Sequence, residues 1–113
     1  MELDCERHAK FLLKMATDRG FEWTMSEYLR MSGIYWSLTA LHIIGEHDKL
    51  PRGELVDFVK SCQMESGGFC PAPGHHESIV YTLSVCLISR LPNYQTCLVL
   101  DRTLVEYILR KLP

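Results

Sequence analysis

Residues 62–74, Cys-Gln-Met-Glu-Ser-Gly-Gly-Phe-Cys-Pro-Ala-Pro-Gly, constrain this chain more than any other stretch. They open on a glutamine at the end of an amphipathic segment, pass through two glycines and an aromatic, and leave through a Pro-x-Pro-Gly turn. Adjacent glycines allow positive φ and a close approach of backbone to a neighbour, while the prolines fix φ and remove donors. Such a connection joins helices in a set geometry. Similar pairs of segments flank it, so it reads as the joint of a repeat.

The flanking segments are of two kinds. Residues 33–44, with Ser32 as the expected N-cap and Gly45 as the stop, carry apolar side chains on nearly every side, and so do residues 78–89. Helices of that composition are expected to be buried. Residues 51–62 instead gather Leu55, Val56, Phe58, Val59 and Cys62 on one face, opposite Arg52, Glu54, Asp57 and Lys60. Pro51 suits the first turn of that helix. After a break at Pro92-Asn93-Tyr94, Asp101 caps a second one-faced helix, with Leu104, Val105, Tyr107, Ile108 and Leu112 apolar. Matching 54–59 to 103–108 gives an offset of roughly 49 residues, within the period of helical solenoids. Upstream, Asp4 caps an expected helix to about Asp18, stopped by Gly20. Phe21 and Trp23 fall in a connection, and residues 25–30 in a short helical turn.

The fold class expected is all-α: an inner layer of apolar helices and an outer layer of amphipathic ones. Two such units leave apolar faces open, because solenoids need about three repeats and caps. Open faces predict aggregation or oligomerisation. At 113 residues the chain is one domain or less, and 47% apolar with 23% charged residues is a soluble globular composition. A formal net charge of −2 offers no basic surplus for phosphates, so no nucleic-acid partner is expected. The apolar run 79–91 is too short to span a bilayer, which needs about 20 residues. The acidic start, Met-Glu-Leu-Asp-Cys-Glu, is unlike a targeting signal, and five cysteines without framework spacing suit reduced thiols in a cytoplasmic protein.

Three blocks carry a family resemblance: Met-Ser-Glu-Tyr-Leu-Arg-Met-Ser-Gly-Ile-Tyr-Trp at 25–36, Phe-Val-Lys-Ser-Cys-Gln at 58–63, and Tyr-Thr-Leu-Ser at 81–84. They resemble the β subunits of protein prenyltransferases, and the first is most similar to the Rab (type II) geranylgeranyltransferase β subunit. The Gln-x-x-x-Gly-Gly-Phe joint is shared more widely, with farnesyltransferase and terpene cyclases. The resemblance implies the N-terminal portion of an α/α toroid: residues 1–24 as an N-terminal helix and connection, and 25–113 as the first helix-pair repeats. It implies transfer of a geranylgeranyl group from its diphosphate to C-terminal cysteines of Rab GTPases. It also implies an α subunit and a Rab escort protein as partners, and zinc as the complete enzyme's cofactor. The residues matching the family's isoprenoid cavity are Ser32, Tyr35, Trp36 and Leu83. An apolar pocket with aromatic walls is what an isoprenoid needs, although aromatics on an apolar helix more often belong to the core.

The zinc ligands and diphosphate-binding residues of the family lie in later repeats, so no catalytic residue and no bound zinc are expected in this chain, which would be inactive alone as a truncated product. The alternative is a catalytically inactive fragment that acts through an α-subunit or lipid-binding surface. After the joint, Gly74-His75-His76-Glu77-Ser78 departs from the family's Gly-His-Asp-Pro-His, and the C-terminal residues 109–113 lack the glutamine of a further joint. A local zinc site on Cys62, Cys70, His75 and His76 is disfavoured, because zinc pairs are separated by about two to four residues. Cys70 with His75 lacks the orienting group of a nucleophilic site and reads as an exposed thiol. The two histidines read as a solvated pair, and Arg30 and Lys60 as solvated charges.

Overall fold

The computed structural model describes residues 2–95, 98 and 101–113. Helix α1 (Cys5–Thr17) begins where the Asp4 carboxylate accepts the Arg7 N–H at 3.1 Å, the N-cap expected from sequence. A short α2 (Phe21–Met25) follows, where a connection was expected, and then a 3-10 turn at Glu27–Leu29. The apolar α3 (Arg30–Ile43) comes next, and Gly45 ends it at φ 78°. Beyond a 3-10 turn at His47–Lys49 come α4 (Arg52–Ser61), the joint, α5 (Ile79–Ile88) and α6 (Arg102–Lys111). Asp101 caps α6 by accepting the Leu104 N–H at 3.0 Å. Among the described residues extended pairing is confined to one antiparallel bridge, Gln63 to Phe69. Cys97 lies outside the described residues.

The core forms where α3 and α5 pack together and the outer helices cover them. Met31, Leu38 and Leu41 of α3, Val85 and Ile88 of α5, Val59 of α4, and Leu104 and Tyr107 of α6 are all at most 2% exposed. The one-faced pattern of α4 and α6 is realised only in part. Leu55, Val56 and Val59 turn inward, as do Leu104 and Tyr107, whereas Val105 and Leu112 face out. The radius of gyration, 14.6 Å, exceeds the roughly 13 Å of a compact 100-residue domain. An open layered array has that proportion.

Two expectations about α3 and α5 are corrected. Ser32 is not an N-cap. It lies inside α3, whose start is satisfied from a distance: the Met31 N–H donates to Pro71 O at 3.1 Å, so the joint itself caps the helix. Nor are the two helices buried all round. Trp36 and Ile43 on α3, and Ile79, Val80, Leu83 and Leu87 on α5, are between 38% and 79% exposed. Sequence composition marks such helices as core, but two repeats supply neighbours on only some of their sides.

The joint is the fastener of this array. Gly67 takes φ 95°, and its α-carbon lies so near α6 that an added Cβ would fall 2.0 Å from Thr103 O. Gly68 lies under the Tyr107 ring in the same way. Gln63 donates to Gly67 O at 3.2 Å and to the capping carboxylate of Asp101 at 3.3 Å. Arg110 donates to Ser66 O at 2.7 Å. On the other side, the Phe69 N–H donates to buried Thr82 Oγ1 at 3.0 Å, and that hydroxyl donates to Ser78 O at 2.8 Å. One loop thus fixes α3, α5 and α6.

Candidate functional site

The four residues carried over to an isoprenoid cavity fall on α3 and α5, but in different surroundings. Ser32 is buried, and its hydroxyl meets that of Ser84 at 3.3 Å across the α3–α5 contact. Tyr35 is half-buried against the core. Trp36 is 60% exposed and Leu83 55% exposed. Ile43 of α3 and Val80 and Leu87 of α5 are exposed as well. Sequence alone named these four residues as one group. It could not separate a hydroxyl used to pin two helices from side chains that face open space.

A groove of about 480 Å³ opens between α1 and α3. Phe11 and Met15 of α1 form one wall, and Gly33, Ser37 and Ala40 of α3 form another. Trp36 is the one residue of the four that reaches it. The residues missed by sequence reasoning sit at its end. Trp23 and Arg30 line it, and the guanidinium carbons of Arg19 and Arg30 lie 3.9 and 3.7 Å from the Trp23 ring centre. Arg30 also donates to Trp23 O. It is therefore not the solvated charge expected, and its partial burial lowers its pKa, with Glu27 opposing that shift. The signal in sequence was the aromatic between two arginines, which spacing alone does not bring together. Lys60 is exposed.

The thiols and histidines of the joint also differ from expectation. Cys70 is 1% exposed rather than at the surface, because the bridge at Gln63 and Phe69 sets it opposite Cys62. Its N–H and its Sγ both donate to Cys62 O, at 3.0 and 3.2 Å. Burial, reinforced by Cys70, pushes the Cys62 thiol up to about 12. His75 and His76 are not a solvated pair, since His75 Nε2 meets Glu27 Oε1 at 2.9 Å. Glu77 accepts from Ser66 Oγ at 2.9 Å, so the departure from the family's loop pattern has its own contact. Backbone hydrogen bonding and Ser66 hold the Glu77 carboxyl below its usual pKa.

These groups do not fit a zinc ion. The two thiols point into the core with one held strongly protonated, His75 is engaged by Glu27, and His76 is exposed. Among the described residues no three His, Cys, Asp or Glu side chains converge as a metal site. No helix among them is long and apolar enough to cross a membrane.

Inner and outer helices, glycine-rich joint and exposed apolar side chains on α3 and α5 now stand together, and residues 3–112 match the prenyltransferase alpha-alpha toroid domain. The chain belongs to that family. It is 34% identical over 89 residues to a geranylgeranyl transferase type-2 subunit beta of Arabidopsis thaliana, covering 78% of this chain and 28% of the relative. It is 35% identical over 85 residues to that subunit of Saccharomyces cerevisiae, covering 74% and 26%. A protein farnesyltransferase subunit beta of Schizosaccharomyces pombe is 30% identical over 93 residues, covering 79% and 24%. The chain spans about a quarter of the length of these curated relatives.

Proposed function

We propose that this toroid chain is β-subunit sequence of a Rab geranylgeranyltransferase, working with an α subunit, a Rab escort protein and geranylgeranyl diphosphate in the cytoplasm. Residues 25–113 are its first helix-pair repeats, and 1–24 its N-terminal helix and connection. The observation that carries this reading is the exposure of large apolar side chains on both α3 and α5. Trp36 and Leu83 stand out from neighbouring helices in a chain that already buries a core, and the proposal assigns both to the cavity wall. A C20 isoprenoid gains roughly 25 cal/mol for each Å² of apolar surface removed from water, so a wall of aromatic and aliphatic side chains suffices to hold it. Tyr35 backs the wall, and the Ser32–Ser84 pair sets the spacing of its two helices.

The reading assigns the zinc ligands and the diphosphate-binding residues to the rest of a β subunit, so thiol activation and diphosphate departure are not assigned to this chain. The chain by itself is inactive in transfer. It acts, if separated from the rest of a β subunit, as a lipid-binding or α-subunit-binding piece. The test is titration with a geranylgeranyl compound, following Trp fluorescence in the native chain and in Trp36→Phe, together with a transfer assay containing α subunit, escort protein, Rab and geranylgeranyl diphosphate. Saturable quenching that Trp36→Phe abolishes, with no transfer, is expected. Absence of quenching removes the cavity assignment, and transfer above background removes the claim of inactivity.

A further inference from the structure

We propose that Cys62 and Cys70 form a dithiol pair that closes reversibly to a disulfide across the joint, with a small-molecule disulfide such as oxidised glutathione as the oxidant. The pairing rests on the short ladder around Gln63 and Phe69. That bridge is held by the Met64 N–H donating to Gly68 O at 2.8 Å and the Cys70 N–H donating to Cys62 O at 3.0 Å. The next pair outward is therefore Cys62 opposite Cys70. Opposed residues that share a ladder hydrogen bond have α-carbons about 5.5 Å apart and side chains on one face, and a disulfide spans about 4.4–6.8 Å. Cys70 Sγ lies 3.2 Å from Cys62 O, and the two thiols are hydrogen-bonding neighbours of each other. Of the other described cysteines, Cys5 is exposed on α1 and Cys86 is half-buried on α5.

The surroundings suit the bridge as well as they suit the thiols. Both side chains are enclosed in the core, where an S–S group is apolar and gives up only two weak S–H donors. Gln63 on Asp101 and Arg110 on Ser66 O clamp the joint from outside, so the closed loop screens the pair from solvent. Exchange therefore runs through local opening of the joint. In the opened loop one cysteine thiolate attacks a sulfur of oxidised glutathione, forms a mixed disulfide and expels one glutathione thiolate. The second cysteine thiolate attacks the protein sulfur of that bond and expels the other. Two electrons pass from the pair to the glutathione, and the two protons lost by the cysteines end on its two thiols. Reclosure then favours the bridge, because Cys62 caps the end of α4 and Cys70 is hydrogen-bonded back to it. None of this depends on the enzymatic reading.

The test needs no substitution. The native chain is equilibrated in glutathione buffers of graded oxidised to squared reduced ratio, folded and again unfolded in urea, then quenched in acid, alkylated and digested. Cleavage after lysine, arginine and glutamate yields pieces 61–65, 66–77 and 78–90, which separate Cys62, Cys70 and Cys86. Mass spectrometry should find 61–65 joined to 66–77 until reductant is added, with Cys86 alkylated. Closing the nine residues 62–70 restricts the unfolded chain enough to favour folding by roughly 50- to 100-fold. By the thermodynamic cycle, half-bridging of the folded chain should need a ratio lower than that in urea by the same factor. Circular dichroism of the bridged chain should match that of the reduced one. Pieces that separate while exposed Cys5 takes up glutathione overturn the proposal, as does a link from Cys62 or Cys70 to another cysteine. So does a ratio no lower for the folded chain than in urea, or a bridged chain that has lost its helices.

Discussion

Replacing Gly67 by alanine, with Gly74 as its control, separates two costs that usually arrive together. Both glycines take φ 95°, where an L side chain is strained by about 1–2 kcal/mol. At Gly74 nothing lies within 4 Å of the new methyl, so Gly74→Ala should cost only that amount. At Gly67 the methyl would fall 2.0 Å from Thr103 O and 2.8 Å from Leu104 N, both backbone of the first turn of α6. Neither can rotate aside, so α6 must withdraw by more than an ångström. Withdrawal begins to expose Leu104 and Tyr107, whose full burial contributes about 1.5–3 kcal/mol each. Losing about half of that adds about 1.5–3 kcal/mol, for a total near 2.5–5 kcal/mol. Urea denaturation followed by circular dichroism measures both variants, and hydrogen exchange over 102–111 localises the effect. Equal destabilisation by the two substitutions, or unchanged exchange in α6, would refute the account of the joint as its fastener.

Other outcomes follow from the same contacts. Thr82→Val keeps the shape but strands the buried Phe69 N–H, and should cost about 1–3 kcal/mol in the same denaturation assay, with Ser in place of Val recovering most of it. Asp101→Ala removes both the α6 cap and the acceptor of Gln63, and should cost about 1 kcal/mol by the same measurement. Cys62 gives an alkaline limit. Its thiol titrates near 9.0 when unfolded and at about 12 when folded, so the folded state holds the extra proton between those values. Stability is then full below about pH 9 and falls as pH rises toward 12, by at most about 1.4 kcal/mol per unit. Denaturation midpoints at several alkaline pH values check this, and Cys62→Ala should flatten the decline. Thiol labelling at neutral pH should reach exposed Cys5 well before Cys62 or Cys70, as peptide mass mapping would show.

Much of the architecture was legible before any coordinates. Asp4 and Asp101 each precede a helix and bring an acceptor within reach of its first amides, so both caps could be read locally. The contrast between apolar α3 and α5 and amphipathic α4 and α6 marked two layers, and the blocks at 25–36 and 58–63 pointed to the family. The candidate site was less legible. Ser32 looked like a cap because serine caps well, but the helix begins earlier, with Pro71 O serving Met31 from forty positions away in the chain. Cys70 looked exposed because it sits among turn residues, yet the bridge across the joint turns it inward. Arg30 looked solvated because no pattern on its own helix predicts a stack on Trp23.

The joint at 62–74 draws the division. Its composition alone determined that the backbone there would take positive φ and that helices would meet around it, since only glycine adopts that conformation without strain. The periodicity alone determined that α3 and α5 would lie within and α4 and α6 without. Tertiary structure decided which groups the loop would hold: Asp101 and Arg110 of the outer helix, Thr82 of the inner one, Met31 of the helix before. It also decided which side of each apolar helix remains open, with Trp36 and Leu83 outward and Ser32 and Ser84 inward. The reason is physical. A residue's backbone preference and hydrophobicity are local properties, whereas exposure depends on how many neighbours the rest of the chain supplies.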